Sequence, residues 1–158
     1  MDRVKRIVNA ILRPVYQPAM RLTRGQTLGA RCAVLDGEDR VLLIRHSYAP
    51  GWGFPGGGVE RGETLIEAAA RELDEEAGVV LEEEPVLHGI FANFEHFPGD
   101  HVALFIARRW RQDKVPAANL EIIEQRFFGR SEWPETATTA TRRRLAEMFE
   151  GAPLSRHW

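Results

Sequence analysis

The chain has 158 residues, of which 44% are hydrophobic and 28% charged, and its formal net charge is -2. These values predict one globular domain with a hydrophobic core, and they argue against a disordered chain or a nucleic-acid-binding protein. A single cysteine, Cys32, excludes an internal disulfide framework and favours a reducing compartment, so we expect a cytoplasmic protein. Because Cys32 lies in an apolar stretch, we interpret it as a buried structural thiol and not as a nucleophile.

The first 24 residues form a basic segment that differs from the rest of the chain. Its charge is +5, so the remainder carries -7. Apolar residues between positions 3 and 12 recur at helical spacing, and Pro14 and Pro18 interrupt any longer helix. We interpret residues 1–24 as an arm packed on the domain or on a second subunit. The alternative is a basic amphipathic segment on an anionic membrane surface. Residues 25–158 are expected to form the single domain, with no spanning helix, secretory signal or DNA-binding module.

Two strands are predicted at residues 28–35 and 41–46, where apolar residues predominate. Residues 36–39 between them have turn composition, so we expect a β-hairpin. A loop or extended segment at 50–55 then leads to three consecutive glycines, Gly56, Gly57 and Gly58. Glycine has no Cβ, so the backbone can approach a ligand closely there.

A helix is predicted after the glycines. Thr64 and Glu67 have the spacing of a capping box, and Gly78 stands where a left-handed C-terminal cap is expected. Arg71 can pair with Glu67 one turn earlier. One arc of the helix is apolar and is expected to pack against a sheet; it contains Ile66, Ala69, Ala70, Leu73 and Ala77.

Three glutamates share one face of this helix. Glu72, Glu75 and Glu76 are spaced i, i+3 and i+4, which brings their side chains together. Carboxylates crowded in this way repel one another unless a cation lies between them, and oxygen ligands suit Mg²⁺ or Mn²⁺. A solvated helix face is the alternative interpretation.

The remaining elements complete a layered α/β domain. Strands are predicted at 85–94 and 101–110 around a turn at 96–100, another at 121–128, and a closing helix at 136–150. The basic run Arg142–Arg144 is interpreted as the solvated face of that helix. Four histidines lack metal-ligand spacing and are interpreted as surface or turn residues: His46, His88, His96 and His101.

Residues 57–79 resemble the signature of the Nudix hydrolases, G-x5-E-x7-R-E-U-x-E-E-x-G-U, in which U is aliphatic. The nine specified positions are filled by Gly57, Glu63, Arg71, Glu72, Leu73, Glu75, Glu76, Gly78 and Val79. The resemblance implies an α/β/α sandwich around a mixed β-sheet. It also implies hydrolysis of a phosphoanhydride bond in a nucleoside diphosphate linked to another group. Water would attack phosphorus, with more than one Mg²⁺ or Mn²⁺ ion in the site.

The resemblance also implies roles for individual residues. Glu75 and Glu76 would be metal ligands, together with the carbonyl of Gly56. Glu72 would bind a metal or orient the attacking water, and Arg71 would hold the carboxylates in position. Glu63 would help to secure the loop against the helix, and a contact to a metal through water is an additional role that the resemblance allows.

Family members often add a carboxylate from outside the signature, a few residues before an aromatic pair. Here the pair is Phe127–Phe128, and we favour Glu121 as ligand or general base, with Glu124 and then Glu95 as alternatives. The substrate-binding candidates are the glycine backbone at Gly57 and Gly58, the strand arginines Arg31 and Arg45, and Trp52. For Trp52 we favour packing of the loop onto the core over stacking on a base or sugar.

The substrate is not fixed by these residues. Phe94 stands where some subgroups carry a proline or tyrosine, so neither the ADP-ribose nor the dinucleoside polyphosphate subgroup is supported. The competing function is a non-catalytic sensor that binds a nucleotide. Sensors often lose a signature carboxylate, whereas this chain keeps them all, so we favour a hydrolase that is a monomer or homodimer.

Overall fold

The computed structural model describes residues 25–47, 49–95, 97–118 and 121–158. The predictions for residues 1–24 and for His96 therefore lie outside the described residues. The strands are β1 Thr27–Val34, β2 Val41–His46, β3 Trp52–Gly53, β4 Gly56–Gly58, β5 Val79–Leu81, β6 Val86–Ala92, β7 Asp100–Ala107, β8 Trp110–Gln112 and β9 Ile122–Phe128. The helices are α1 Leu65–Ala77 and α2 Thr139–Phe149. Neither of these helices is long and apolar enough to cross a membrane.

The strands form a mixed sheet and two antiparallel ones. The largest has the order β4-β1-β7-β6. In it β1 and β7 run parallel, whereas β4 and β6 are antiparallel to their neighbours. A second sheet has the order β3-β2-β9, and β5 pairs with β8. The predicted strand pair around residues 96–100 is confirmed as β6 and β7, but β7 ends at Ala107 and Trp110 begins β8.

Two hydrophobic clusters place the helices on opposite sides of the sheets. The α1 cluster contains Leu73 and Ala77 with Ala30, Cys32 and Val34 of β1. The other cluster contains Leu145 of α2 with Ala33 and Leu35, the alternating residues of the same part of the chain. This arrangement confirms the predicted α/β/α layering. Cys32 is fully buried, as predicted.

The predicted hairpin between β1 and β2 is wrong. The two strands are joined by a tight turn and a single bridge between Leu35 and Val41, and they then enter different sheets. Residues 41–44 are all at most 1% exposed, which requires protein layers on both faces of β2. Because a simple hairpin buries alternate residues, this continuous apolar run already differed from the hairpin pattern.

Local signals set the ends of α1. Thr64 and Glu67 form the predicted capping box, and Gly78 has φ 65°, the left-handed conformation of the predicted cap. The predicted Arg71–Glu67 pair is wrong. The Glu67 carboxylate instead accepts a hydrogen bond from the Thr64 N–H at 2.7 Å, so the cap uses the group that an ion pair would need.

The C-terminal part corrects two further interpretations. Helix α2 begins at Thr139, after its cap Thr138, and Arg144 on it is 0% exposed, so Arg142–Arg144 is not simply a solvated face. Arg144 pairs with Glu147, and Glu147 also contacts the Nε2 atom of His88 at 3.0 Å. His88 is consequently no surface residue. Residues 155–158 contact this group, because the Ser155 N–H donates to Glu147 at 2.8 Å and Arg144 donates to the carbonyl of His157 at 3.0 Å. The N–H of Trp158 also donates to the carbonyl of Ala92 on β6.

Candidate active site

The glutamates of α1 differ in exposure. The Glu76 side chain is 6% exposed, that of Glu72 is 15% exposed, and that of Glu75 is 60% exposed. Glu76 is fixed at both oxygens: Oε2 accepts a hydrogen bond from the Gly56 N–H at 2.7 Å, and Oε1 lies 2.7 Å from Nε2 of His46. The helix therefore presents one buried, one partly buried and one open carboxylate beside β4.

Glycines in β4 allow this close approach. Gly56 has φ 135°, and a Cβ there would lie closer than 3 Å to the carbonyl oxygen of Ala30. A Cβ on Gly57 would lie closer than 3 Å to the carboxylate of Glu72. Glycine at both positions lets β4 fit between β1 and the carboxylates of α1, because a Cβ would meet backbone at Gly56 and would displace the Glu72 side chain at Gly57.

Arg71 links the glycine strand to the acidic residues. Its Nε donates to Glu63 at 2.7 Å, its Nη1 to Glu72 at 2.8 Å, and its Nη2 to the carbonyl of Gly58 at 3.1 Å. Glu75 lies 3.4 Å away. Arg71 thus contacts three of the acidic residues that the sequence singles out, and Glu63 takes the place predicted for Glu67.

Two carboxyl groups that Arg71 contacts have pKa values shifted in opposite directions from the usual value for glutamate. The hydrogen bond from Arg71 lowers the pKa of Glu63. Burial raises the pKa of Glu72, and the charges of Glu76 and Glu75 add to this, although Arg71 opposes it. A carboxylate whose pKa is raised by nearby negative charge is stabilised in its ionised form by a cation.

A group that could hold a metal includes a residue that the sequence did not identify. Ligand atoms of His46, Glu76 and Glu121 all lie within 4.8 Å of one another. Carboxylate oxygens and an imidazole nitrogen are ligands for divalent ions, so the residues fit the metal that the signature implies. The interpretation of His46 as a surface or turn residue is wrong. His46 lies near Glu76 and Glu121, which are 30 and 75 positions away in the sequence. The available sequence signal for a buried polar role was its position at the end of a buried strand.

The structure brings only one of the three candidate carboxylates into this group. Glu121 lies beside His46 and Glu76. Glu124 instead pairs with Arg45, whose Nη2 lies 3.0 Å from its Oε2. Glu95 lines a separate cavity.

The predicted substrate-binding side chains do not lie together. Trp52 is 8% exposed and packs edge-on against Phe128, with ring centroids 4.9 Å apart, so packing onto the core is its observed role. Because Arg45 alternates with His46 along β2, it points away from Glu76 towards Glu124 and Trp52.

Arg31 lines a cavity of about 460 Å³. The cavity walls include Asn93, Glu95, Thr138, Arg143 and Trp158. Arg31 stands opposite Gly56 in the β1–β4 register, and its Nη1 donates to the carbonyl of Phe54 at 3.3 Å. The cavity therefore lies beside β1, the strand next to β4, whose Gly56 N–H donates to Glu76.

Comparisons with known proteins identify relatives of this chain. The family model described as the NUDIX domain matches residues 25–149. The chain is 31% identical over 99 residues to an RNA pyrophosphohydrolase of Halorhodospira halophila, covering 63% of this chain and 45% of that protein. It is 35% identical over 72 residues to an ADP-ribose pyrophosphatase of Methanocaldococcus jannaschii, covering 44% and 42%. The chain thus spans less than half the length of these curated relatives.

Solved structures match over more of the chain. A MutT NUDIX hydrolase from Burkholderia pseudomallei has a TM-score of 0.65 at 26% identity, covering 76% of this chain and 95% of that one. A NUDIX hydrolase from Nitrosomonas europaea has a TM-score of 0.65 at 29% identity, covering 81% and 74%. The layered fold is therefore shared with these proteins.

Proposed function

The chain belongs to the Nudix hydrolase family, and from this premise we propose that it hydrolyses a pyrophosphate bond in a nucleoside diphosphate linked to another group. The reaction would be attack of water on phosphorus, dependent on Mg²⁺ or Mn²⁺. The observation that carries the proposal is that acidic side chains converge on the glycine strand β4. Glu72 and Glu76 of α1 meet the glycines of β4, and Glu121, the residue before β9, joins Glu76.

The ions would be held by Glu75, Glu76 and Glu121, with the carbonyl of Gly56 as a further ligand. Bound divalent ions neutralise phosphate oxygens and activate water for attack. Arg71 keeps Glu72 and Glu75 in position through its fork of hydrogen bonds, while Glu63 anchors Arg71 itself. We assign Glu72 to orient and deprotonate water, because its partly buried carboxylate lies beside the glycines of β4 and the metal-binding face of α1.

We further propose that the phosphates approach the backbone of Gly57 and Gly58. A Cβ placed on Gly58 would meet no described heavy atom within 4 Å, which supports an open approach there. The cavity beside Arg31 would receive the group linked to the phosphates, and its volume is within the range of about 300–1,000 Å³ usual for small-molecule sites. The names of the relatives refer to nucleotide derivatives of several kinds, which supports this substrate class and no single compound.

We also assign the protein to the cytoplasm. The support is its lone cysteine, which is free and buried. A thiol in this state is usual for reducing compartments.

A substrate panel tests the proposed function. Purified protein is incubated with Mg²⁺ or Mn²⁺ and with nucleoside triphosphates, nucleotide sugars, ADP-ribose, dinucleotides and capped RNA, and phosphate-bearing products are measured. We expect metal-dependent turnover of at least one compound and its loss in Glu76→Gln. Glu150→Gln, which changes an exposed glutamate at the end of α2, is the matched control and should retain turnover. Circular dichroism verifies that both variants are folded.

Two results would contradict the proposal. The first is wild-type turnover in Glu76→Gln. The second is tight binding of one compound without turnover in the presence of either metal, which would favour a non-catalytic sensor.

A further inference from the structure

His46 is the unexpected member of the candidate active site. It is the last residue of β2, and only 11% of its side chain is exposed. Its Nε2 atom lies 2.7 Å from Oε1 of Glu76, which is buried on α1. An imidazole that faces a buried carboxylate at this distance has a polar role, because apolar packing does not require a nitrogen at that position.

Neighbouring strands bring Glu121 to the same place. The N–H of Ser47, next to His46, donates to the carbonyl of Glu121 at 2.8 Å. The end of β2 is therefore tied to the residue that precedes β9. The third member comes from the helix layer, where the Gly56 N–H holds Glu76 by its other oxygen. Each donor is thus positioned by backbone that does not depend on an ion.

The spacing of the three donor atoms is that of ligands around one ion. Bonds of about 2.0–2.5 Å place any two ligands of the same ion no more than about 4 to 5 Å apart. The atoms of His46, Glu76 and Glu121 lie within 4.8 Å of one another, so little movement would be needed. Each carboxylate oxygen has two lone pairs, so Glu76 can keep its hydrogen bond from the Gly56 N–H and still bind a cation. The Nε2 atom of His46 cannot donate to Glu76 and bind an ion at the same time, so ligation through Nε2 would replace the His46–Glu76 hydrogen bond by bonds from both groups to the ion.

We propose that His46 is a nitrogen ligand to a divalent ion that it shares with Glu76 and Glu121. This inference rests on the proposed function in one respect only, which is that the bound ion would serve hydrolysis. The signature glutamates supply oxygen alone, whereas imidazole shifts preference from Mg²⁺ towards transition metals such as Mn²⁺. A site built in this way selects Mn²⁺ more strongly than the helix carboxylates alone would do.

The alternative role is orientation. In that case His46 only donates a hydrogen bond to Glu76 and does not touch the ion, as residues behind metal ligands commonly do. Glutamine separates the two roles, because its amide N–H can replace the hydrogen bond but its nitrogen is a poor metal ligand. His46→Gln is therefore the informative variant. His101→Gln is the matched control, since His101 lies at the start of β7 and packs edge-on against Phe94.

The test measures the ion directly and needs no substrate. The full chain is stripped of metal, loaded with one equivalent of Mn²⁺, and studied by electron spin-echo spectroscopy for coupling to a histidine nitrogen. Protein grown with ¹⁵N-histidine should change that coupling in the wild type without any substitution. We expect the coupling to vanish in His46→Gln and to persist in His101→Gln. Bound Mn²⁺ without histidine coupling in the wild type would overturn the proposal, as would coupling that survives in His46→Gln.

Calorimetry provides a second measurement. We expect His46→Gln to weaken Mn²⁺ binding about tenfold or more and Mg²⁺ binding by a smaller factor. Equal affinities for Mn²⁺ in the wild type and in His46→Gln would indicate orientation only and would overturn ligation. If the wild type has the coupling but hydrolyses no compound of the substrate panel, the metal site stands and the proposed function fails.

Discussion

Three consecutive glycines provide a sharp test of how the active site is built, because an added methyl group meets a different obstacle at each. At Gly56 the obstacle is backbone, the carbonyl of Ala30, and φ is 135°. At Gly57 it is the flexible end of the Glu72 side chain. At Gly58 no described heavy atom lies within 4 Å. Alanine should therefore lower stability at Gly56 and turnover at Gly57, and at Gly58 it should leave the stability of the protein unchanged.

The expected magnitudes follow from these obstacles. Backbone strain in Gly56→Ala costs about 1–3 kcal/mol, and overpacking against a carbonyl costs about as much again. The free energy of unfolding should fall by several kcal/mol. For a domain of this size Tm should then fall by roughly 5 to 20 °C.

Gly57→Ala displaces Glu72 and breaks its 2.8 Å contact with Arg71. Both side chains of this pair are partly exposed, so stability should change by about 1 kcal/mol or less. Turnover should fall about 10- to 100-fold, the usual effect of displacing a group that orders a metal site. Gly58→Ala leaves Glu72 in place, and its stability should stay within about 0.5 kcal/mol of the wild type.

The assay combines thermal unfolding with turnover on the best compound of the substrate panel. Two results would refute the reasoning. One is that Gly57→Ala retains wild-type turnover, since the added Cβ would then not displace Glu72. The other is that Gly56→Ala unfolds at the wild-type temperature.

Three further predictions concern residues outside the glycine strand. Arg144→Leu leaves the Glu147 carboxylate without its buried partner, and chemical unfolding should show a loss of about 3–5 kcal/mol; a loss below about 1 kcal/mol would contradict the burial. Although burial raises the pKa of Glu147, hydrogen bonds from Ser155, His88 and Arg144 outweigh it, and the pKa is lowered from 4.5. The ionised Glu147 therefore stabilises the folded protein at pH values above its pKa in the unfolded chain, and this stabilisation is lost as the pH falls through the lower pKa of the folded protein. Tm measured in acid should consequently decline less steeply with pH in Glu147→Gln than in the wild type. Burial raises the pKa of Cys32 to about 12, so Ellman's reagent at about pH 8 should react only after unfolding, and rapid reaction with the folded protein would contradict this burial.

Predictions based on neighbouring residues were largely correct. The capping box at Thr64 and Glu67 and the left-handed Gly78 involve atoms only a few positions apart, so the sequence contains all the partners. One such prediction, the Arg71–Glu67 ion pair, was wrong because another donor competes for the Glu67 carboxylate. Glu67 is spaced for an ion pair with Arg71, but its carboxylate accepts the backbone N–H of the cap, and Arg71 pairs with Glu63 instead.

Predictions that depend on strand order fared less well. The positions of β1 and β2 were predicted correctly, but their pairing was not, because the continuous burial of Val41–Ile44 places β2 between protein layers. A long-range contact also explains why Arg144 is buried. The two residues before it, Arg142 and Arg143, are charged, and it is buried because residues 155–158 return across α2 and β6.

By itself, the sequence determined the acidic face of α1, the glycines beside it and the family, since helical periodicity places Glu72, Glu75 and Glu76 together whatever surrounds the helix. The tertiary structure decided which distant groups meet that face. His46 and Glu121 reach Glu76 because β2 pairs with β9, and this contact spans 75 residues of chain. No local pattern specifies such a contact, because it depends on which strands pair and on which side of the sheet each helix packs.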